Sequence, residues 1–297
     1  MSVKDLINKC LTSGLDIVAF IIVGAVFVGF KNYAAPHHSG FFCSDSSIRF
    51  PYHNSTVPTE VNNIISYGVP LVCLIVLHWF LFARLKKGWR GVLFDLKLLV
   101  FFGLITQTTT QILKIAVGRL RPHFLDVCAV NLDLDDTVCG SINNPTYVSN
   151  YSCIGNPELF PESKEYLKNR IKEARLSFPS GHSSLAFYGM TLTIFILHRS
   201  KLTSLPVQLV QASCLLYAMF TAVSRVTDNK HHPGDVIAGS ILGAIFALAA
   251  AYQMPRRNAG DICEKSTNTE MELITNNTLM ETDVSASSIS NLKMQIS

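Results

Sequence analysis

Long apolar segments alternate with polar loops along most of the chain. A helix needs roughly 20 apolar residues to cross the hydrocarbon core of a membrane. Six segments meet or approach this length, at residues 15–30, 64–83, 92–113, 183–197, 205–223 and 236–252. They are apolar on all sides, whereas helices that form the core of a soluble all-α protein are usually amphipathic. We therefore predict an all-α membrane protein with six transmembrane helices.

The two ends of the chain differ from its middle. Lys4 and Lys9 precede the first apolar segment as in a signal peptide, but no small-residue cleavage site follows Phe30. We therefore expect an uncleaved first span. From residue 258 onward Ser, Thr, Asn and Glu dominate and the apolar periodicity disappears. This pattern predicts a six-span domain over residues 1–257 and a disordered cytoplasmic tail over residues 258–297.

Basic residues in alternate loops predict the orientation, because short cytoplasmic loops are enriched in lysine and arginine. They are Arg84, Lys86, Lys87 and Arg90 after the second segment, Arg199 and Lys201 after the fourth, and Arg256 and Arg257 after the sixth. Both termini are then cytoplasmic, and loops 31–63, 114–182 and 224–235 face outward or into a lumen. Residues 294–297 do not form a KDEL-type retention signal, which favours the plasma membrane over the ER or Golgi.

The predicted outer loops carry features of an oxidising, glycosylating compartment. Asn54 and Asn150 begin glycosylation sequons there, whereas a third sequon at Asn276 falls in the cytoplasmic tail and reflects chance. Four cysteines also lie outside, where disulfides persist: Cys43, Cys128, Cys139 and Cys153. Their spacing leaves the pairing open. In the last apolar segment, Gly239 and Gly243 form a GxxxG pair, which indicates close helix packing.

Composition agrees with a membrane protein and excludes several other classes. Hydrophobic residues make up 48% of the 297 residues and charged residues 15%, against about 25% charged residues in soluble domains. The formal net charge of +4 is small, and no basic run is long enough to follow a phosphate backbone. We therefore expect a membrane and a small substrate as partners, and no nucleic acid. Homo-oligomerisation stays open.

A first polar cluster, in the sequence KIAVGRLRP, contains Lys114, Arg121 and Pro122. If the third helix continues to Pro122, the seven-residue spacing brings both cations within about 20° of one helix face. Two aligned cations at the membrane edge suit a phosphate group. Taken alone, the pair is more simply interpreted as an anchor of the helix, with its charged ends extended into the interface.

A second cluster is Pro179-Ser180-Gly181-His182, directly before the fourth span. Ser180 is suited to cap that helix, and Gly181 lets the backbone approach a ligand closely. The free N–H groups and the positive dipole end of a helix bind anions. His182 would stand there ready to donate a proton. The simpler reading is a helix cap followed by an interfacial histidine.

A third cluster, in SRVTDNKHHPGD, contains Ser224-Arg225, His231 and Asp235. Arg225 is another anion ligand. A carboxylate that accepts a hydrogen bond from one imidazole nitrogen leaves the other nitrogen free to attack, and His231 and Asp235 are four residues apart. The simpler reading is that Asp235 only caps the sixth helix. His232 receives no role and is expected to be solvated.

In chain order these clusters read KxxxxxxRP, PSGH and SRxxxxxHxxxD without departure. The chain thereby resembles the lipid phosphate phosphatases of the phosphatidic acid phosphatase type 2 superfamily, over about residues 1–256. GRLRPHFLDVC and SRVTDNKHHPGDV resemble the animal enzymes in particular. The resemblance implies hydrolysis of lipid phosphomonoesters, such as phosphatidate, lysophosphatidate, sphingosine 1-phosphate or ceramide 1-phosphate, without a metal or another cofactor.

The resemblance also implies a phosphohistidine intermediate and assigns residue roles, which agree with side-chain chemistry. His231 is the nucleophile, Asp235 orients it, and His182 protonates the leaving alkoxide and then activates water. The phosphate oxygens are bound by Lys114, Arg121 and Arg225, and by backbone N–H groups near Ser180 and Gly181. We expect this active site at the outer or lumenal ends of the helix bundle.

Three other functions are compatible with parts of the sequence. Asp133-Leu-Asp135-Asp-Thr137 matches the DxDxT motif of magnesium-dependent phosphatases, but no alternating strands and helices surround it, which favours a solvated loop. A related membrane phosphatase for a non-lipid phosphomonoester, such as glucose-6-phosphatase, shares this type of site. A transporter or non-catalytic scaffold would explain the polar residues of span three, although a scaffold relative should have lost a motif residue. The polar residues of span three are Asp95, Lys97, Gln107 and Gln111.

Overall fold

The computed structural model describes residues 3–85, 90–130, 145–161, 163–200 and 204–254. Its helices are α1 (Val3–Asn32), α2 (Thr59–Leu85), α3 (Arg90–Val117), α4 (Phe124–Cys128), α5 (Lys164–Ala174), α6 (Gly181–Arg199), α7 (Leu205–Thr227) and α8 (Pro233–Gln253). Strand β1 (Phe41–Phe42) pairs antiparallel with β2 (Tyr147–Val148). The predicted tail, its Asn276 sequon, Cys139 and the DxDxT segment lie outside the described residues.

Five of the described helices are long and apolar enough to cross a membrane. The qualifying stretches are Gly14–Asn32, Thr59–Trp79, Gly91–Val117, Leu205–Thr227 and Pro233–Gln253. They coincide with five of the six predicted segments, so the membrane-helical class is confirmed. The remaining predicted segment, residues 183–197, forms α6, which has 19 residues and a lower hydropathy than these five stretches.

Helix α6 lies at the centre of the bundle. It packs against α2, α3, α7 and α8. Ser183, Ser184 and Thr193 on this helix are buried against protein, so the helix needs fewer apolar residues than one that faces lipid. Its central position explains its lower hydropathy, and the count of six spans stays a prediction.

The apolar core joins α2, α3, α6 and α8 on the side away from the polar clusters. Leu99, Phe102, Tyr188, Leu192 and Ala250 are buried within it. Tyr188, at the centre, donates a hydrogen bond from its hydroxyl to the Leu99 carbonyl at 2.6 Å. Its polar end is therefore satisfied although the whole side chain is buried.

Close contact between α8 and α6 depends on the predicted glycine pair. A Cβ atom at Gly243 would lie 2.0 Å from the Ser184 carbonyl oxygen, and one at Gly239 would lie 2.4 Å from the Ser180 carbonyl oxygen. This confirms the interpretation of GxxxG as a packing motif. The contact also brings the start of α8 to the start of α6, where the Ser180 N–H donates to the Asp235 carbonyl at 2.9 Å.

The predicted outer loops fold into a cap with a core of its own. Phe41, Phe124, Val127 and Phe160 are buried together there. A disulfide joins Cys128 to Cys153, and Cys43 is disulfide-bonded as well. The cap covers the ends of the helices where the three polar clusters lie.

Helix α3 ends before Pro122, so the condition for aligning Lys114 and Arg121 on one helix face is not met. It stops at Val117, because Gly118 takes a positive φ of 58° and donates its N–H to the Lys114 carbonyl at 3.0 Å. A Cβ atom at Gly118 would lie 2.2 Å from the His37 carbonyl oxygen, so this position also requires a glycine for space. Arg121 therefore does not continue the helix face of Lys114.

The polar residues along α3 are paired with protein groups. Asp95 lies 3.1 Å from His78, and the Lys97 ammonium lies 2.5 Å from Asp16. Gln107 donates to a tyrosine hydroxyl at 2.9 Å. These contacts explain the three residues without a transport path.

Candidate active site

The three polar clusters converge on a cavity of about 290 Å³ under the cap. Lys114 reaches it from the end of α3, His182 from the start of α6 and Arg225 from the end of α7. Arg121 and His231 reach it from loops. Gly181 also lines the cavity, while Ser180 and Asp235 are buried but are not among the lining residues.

His231 has its tautomer set by the backbone. Its Nδ1 atom lies 2.7 Å from the Ser177 carbonyl oxygen, which can only accept, so Nδ1 carries the proton and Nε2 keeps a lone pair. The side chain is 1% exposed. Burial, followed by the charges of Arg121 and Lys114, holds the pKa of His231 well below its usual range. The imidazole is therefore neutral and its Nε2 is able to act as a nucleophile.

Asp235 acts on His231 through other groups and not by the predicted direct hydrogen bond. Its Oδ2 atom is 3.9 Å from His231 Nδ1, beyond hydrogen-bond distance. The same oxygen accepts from the Ser177 hydroxyl at 2.6 Å and from the His232 N–H at 3.0 Å. Asp235 thus holds both the residue whose carbonyl orients His231 and the residue that follows His231.

His232 and Arg119 were not assigned to the site by sequence. His232 was expected to be solvated, which was wrong, because its side chain is 12% exposed and Nδ1 lies 3.2 Å from Asp235 Oδ2. Asp235 closes a capping box with His232 at the start of α8, so it also caps that helix. Arg119 donates to Asp235 Oδ1 at 2.7 Å. The one sequence feature that could have indicated Arg119 is its position two residues before Arg121.

The PSGH cluster takes the predicted capping geometry. Ser180 is the N-cap of α6, and its Oγ accepts from the Ser183 N–H at 3.4 Å. A Cβ atom at Gly181 would lie 3.3 Å from the Lys114 ammonium nitrogen, so the glycine leaves room for that side chain. His182 Nε2 is buried and makes no hydrogen bond within the described part of the chain. It is therefore available to a ligand.

Arg225 is fixed by the loop that carries the first sequon. Its side chain is 2% exposed, and its NH2 atom lies 3.3 Å from the Ser55 hydroxyl. Its NH1 atom lies 3.5 Å from Asp228, which also accepts the Thr56 N–H at 2.8 Å. Asn54 itself is exposed. The sequon thus lies beside the site, a relation that the sequence did not indicate.

Positive charge is the dominant electrostatic feature of the cavity. Lys114 and Arg121 line it, and neither has a carboxylate within 4.0 Å among the described residues. Burial is the main cause that lowers the pKa of Arg121, although a guanidinium stays protonated at any ordinary pH. Buried cations without a carboxylate in direct contact make the cavity suited to an anion.

The inner end of the cavity extends between α1, α2 and α3. Gln111 and Gln107 line it at three and seven residues before Lys114, so they lie on the same face of α3. Asn63 of α2 and Phe27 of α1 complete this wall. The cavity therefore continues from the cationic end into the space between three candidate membrane spans.

The cap supplies further lining residues that the motifs did not indicate. They are Tyr52, His123, Arg170, Glu173 and Lys230. Each of the five interacts electrostatically with Arg121. No sequence signal distinguished them from other loop residues.

Comparisons with known proteins agree with this site. The family model described as the PAP2 superfamily matches residues 95–259, which include all three clusters. Rat (Rattus norvegicus) phospholipid phosphatase 1 is 30% identical over 253 residues, covering 79% of this chain and 81% of the relative. Rat phospholipid phosphatase 2 is 32% identical over 250 residues, covering 80% of this chain and 84% of the relative.

A third relative extends the comparison beyond mammals. A Drosophila melanogaster protein, named provisionally as a phosphatidate phosphatase, is 32% identical over 264 residues, covering 80% of this chain and 67% of the relative. No solved structure matches the chain. The family model and the relatives both confirm the resemblance drawn from the three clusters. The chain therefore belongs to the PAP2 superfamily, among its lipid phosphate phosphatases.

Proposed function

We propose that the chain hydrolyses lipid phosphomonoesters in this cavity, through a phosphohistidine on His231 and without a metal ion. The observation that carries the proposal is the meeting of three distant motifs around one cationic cavity, beside a neutral histidine. The names of the rat relatives support a phospholipid as the substrate class. Phosphatidate, lysophosphatidate, sphingosine 1-phosphate and ceramide 1-phosphate all carry the required group.

In the first step His231 Nε2 attacks phosphorus and the bond from phosphorus to the ester oxygen breaks. Lys114, Arg121 and Arg225 hold the phosphate oxygens, whose charge is spread in the transition state. His182 donates a proton to the leaving alkoxide, which departs as the lipid alcohol. The dianionic phosphate beside His182 favours the protonated imidazole that this role needs.

In the second step water attacks the phosphohistidine. His182, now neutral, accepts a proton from that water, and the bond between His231 and phosphorus breaks to release inorganic phosphate. Asp235 acts as a positioning residue through Ser177 and His232 in both steps. Both histidines and the carboxylate return to their starting protonation states.

The inner wall of the cavity provides a place for the lipid part of the substrate. Gln111 and Asn63 would face the glycerol or sphingoid portion next to the phosphate, and the acyl chains would pass between helices into the hydrocarbon. The walls thus change from cationic to polar to apolar along the cavity. This order matches that of a lipid phosphate.

We also propose an orientation in the membrane. Six spans with both termini in the cytoplasm put the cavity, Asn54 and Asn150 on the extracellular side, or in the lumen of an internal membrane. Both asparagines are exposed in the cap, at the same end of the bundle as the cavity. Arg84 and Arg199, which begin two of the basic loops, lie at the other end of α2 and α6.

A phosphate-release panel tests the proposed function. Purified protein is given the four lipid phosphates and glucose 6-phosphate, with His231→Ala as a control for contaminating phosphatases. We expect release from lipid phosphates at least tenfold faster than from the sugar phosphate. Faster release from glucose 6-phosphate would favour a non-lipid phosphatase, and no release from any compound would favour a scaffold.

A further inference from the structure

Lys230 lies at the outer end of the cavity, directly before His231. It is not a fixed position of the three motifs. We propose that Lys230 is a further phosphate-binding residue, which contacts the side of the substrate phosphate that faces the cap. This inference rests on the proposed function and adds a fourth cation to the site.

Burial without a counter-ion is the first support. The residue is 3% exposed, and within the described ranges its ammonium has no carboxylate within 4.0 Å. Three arginines around the site do have a carboxylate within 4.0 Å: Arg119 pairs with Asp235, Arg170 with Glu173 and Arg225 with Asp228. A buried ammonium that lacks an anion is costly unless a ligand supplies one.

Tyr52 holds the ammonium in place without neutralising it. The Lys230 nitrogen lies 3.4 Å from the centroid of the Tyr52 ring. That ring is braced edge-on by His123 at 5.2 Å and by Phe160 at 5.0 Å. The Tyr52 backbone N–H donates to the Asp126 carboxylate at 2.7 Å, and this hydrogen bond fixes the loop that carries the ring. An aromatic face attracts a cation but leaves its charge available to an anion.

The electrostatics of the site point the same way. Burial, followed by the charges of Arg121, Arg225 and Arg170, lowers the pKa of Lys230 to about 7. Two of these three are the proposed phosphate ligands, so their positive charge acts on the same space as that of Lys230. A bound phosphate dianion would oppose this repulsion and favour the charged ammonium.

The opposing interpretation is that Lys230 only anchors Tyr52 and the cap. The two roles predict opposite effects on the protein without phosphate. An anchor would stabilise the free protein, so its removal would lower the melting temperature. A phosphate ligand leaves an uncompensated cation in the free protein, so replacing it with an apolar side chain of similar length keeps or raises the melting temperature.

The test compares Lys230→Met, Lys230→Arg and the control Lys168→Met, which changes an exposed lysine on α5. Inorganic phosphate is the probe, and both the inhibition constant and the rise in melting temperature with phosphate are measured. We expect Lys230→Met to weaken phosphate binding and raise KM by roughly 10- to 100-fold. Lys230→Arg should restore most of the affinity, and Lys168→Met should match wild type.

Unchanged phosphate affinity in Lys230→Met would overturn the inference, and so would a lower melting temperature without phosphate combined with an unchanged KM. Failure of the proposed function has a different signature. In that case the wild-type protein releases no phosphate from any phosphomonoester. The phosphate-dependent shift in melting temperature still tests the Lys230 contact, because it requires binding and not turnover.

Discussion

At the scale of residues, the chemistry depends on which nitrogen of His231 faces the cavity. Sequence spacing identified His231 and Asp235 as partners but could not predict the partner of Nδ1. That partner is the carbonyl of Ser177, 54 residues earlier in the chain, and Asp235 reaches it through the Ser177 hydroxyl. A tertiary contact of this kind leaves no periodic signal in sequence. The residue types were predictable, whereas their connection was not.

The role of His182 can be separated from that of His231 by the leaving group. We expect His182→Ala to slow the first step strongly, by roughly 10²- to 10⁴-fold, for a lipid alkoxide that needs protonation. An activated aryl phosphate should lose much less. Rapid-quench kinetics with both substrates measure the step, and His53→Ala, at an exposed position, is the control. Equal losses for both substrates would remove His182 as the general acid.

We expect the protein to lose stability in acid because of the buried His123. Burial, then the charges of Arg121 and Lys230, lowers its pKa to about 2. The folded protein therefore keeps His123 neutral, while the unfolded chain protonates it below pH 6.5. The contribution of His123 to the free energy of unfolding is therefore fully present above pH 6.5. It falls as the pH drops, by about 1.4 kcal/mol at pH 5.5.

The variant His123→Gln tests this pH effect. Its thermal stability in detergent should fall less between pH 7.5 and pH 5.5 than that of wild type. His53→Gln, which changes an exposed histidine, should keep the wild-type slope. Identical slopes for all three proteins would mean that His123 does not stay neutral on folding.

At the scale of elements, apolar runs predicted the long helices and missed what depends on neighbours. The sequence allows α3 to continue to Pro122, but Gly118, which lies against the loop at His37, ends the helix at Val117. The cap was predicted only as loops, because its core residues are dispersed and its strands are two residues long. A periodic pattern of apolar residues identifies an element that buries one continuous face. The cap contains no such element among the described residues.

Close packing of α8 on α6 can be tested at Gly243. We expect Gly243→Ala to lower stability by about 1–3 kcal/mol, because its Cβ would meet a backbone carbonyl that has no room to move. Activity should fall as well, since α8 carries Asp235. Gly68→Ala is the matched control, because it lies within a helix and has no atom within 4 Å of its Cβ position.

The control has the opposite expected sign. Alanine is preferred over glycine within a helix by up to about 1 kcal/mol, so Gly68→Ala should keep or raise the melting temperature. Thermal unfolding in detergent measures both variants. If Gly243→Ala melts at or above the temperature of Gly68→Ala, the close contact between α6 and α8 is wrong.

At the scale of the whole molecule, motifs more than 100 residues apart meet at one end of a helical bundle. Sequence predicted this end from loop charges and sequons, since those signals belong to topology and not to packing. It did not predict that the Asn54 sequon would be tied to Arg225 through Ser55. Loop charges and sequons therefore predict on which side of the membrane this end lies, while the loop contacts that complete the site depend on tertiary structure.

Glycosylation measures the orientation directly. In mammalian cells we expect glycans on Asn54 and Asn150 and none on Asn276, because only the first two lie in the proposed outer loops. Gel mobility after glycosidase treatment of single Asn→Gln variants assigns each site. A glycan on Asn276 would reverse the orientation and put the cavity on the cytoplasmic side.

The most direct test of the central claim is phosphate trapped on His231 in the presence of EDTA. Protein is mixed with a lipid phosphate labelled in the phosphoryl group, quenched within milliseconds and digested, and the labelled peptide is identified. We expect acid-labile phosphate on His231 in wild type and in His232→Ala, with none in His231→Ala. Phosphate on another residue, or labelling that disappears with EDTA and returns with magnesium, would contradict the account.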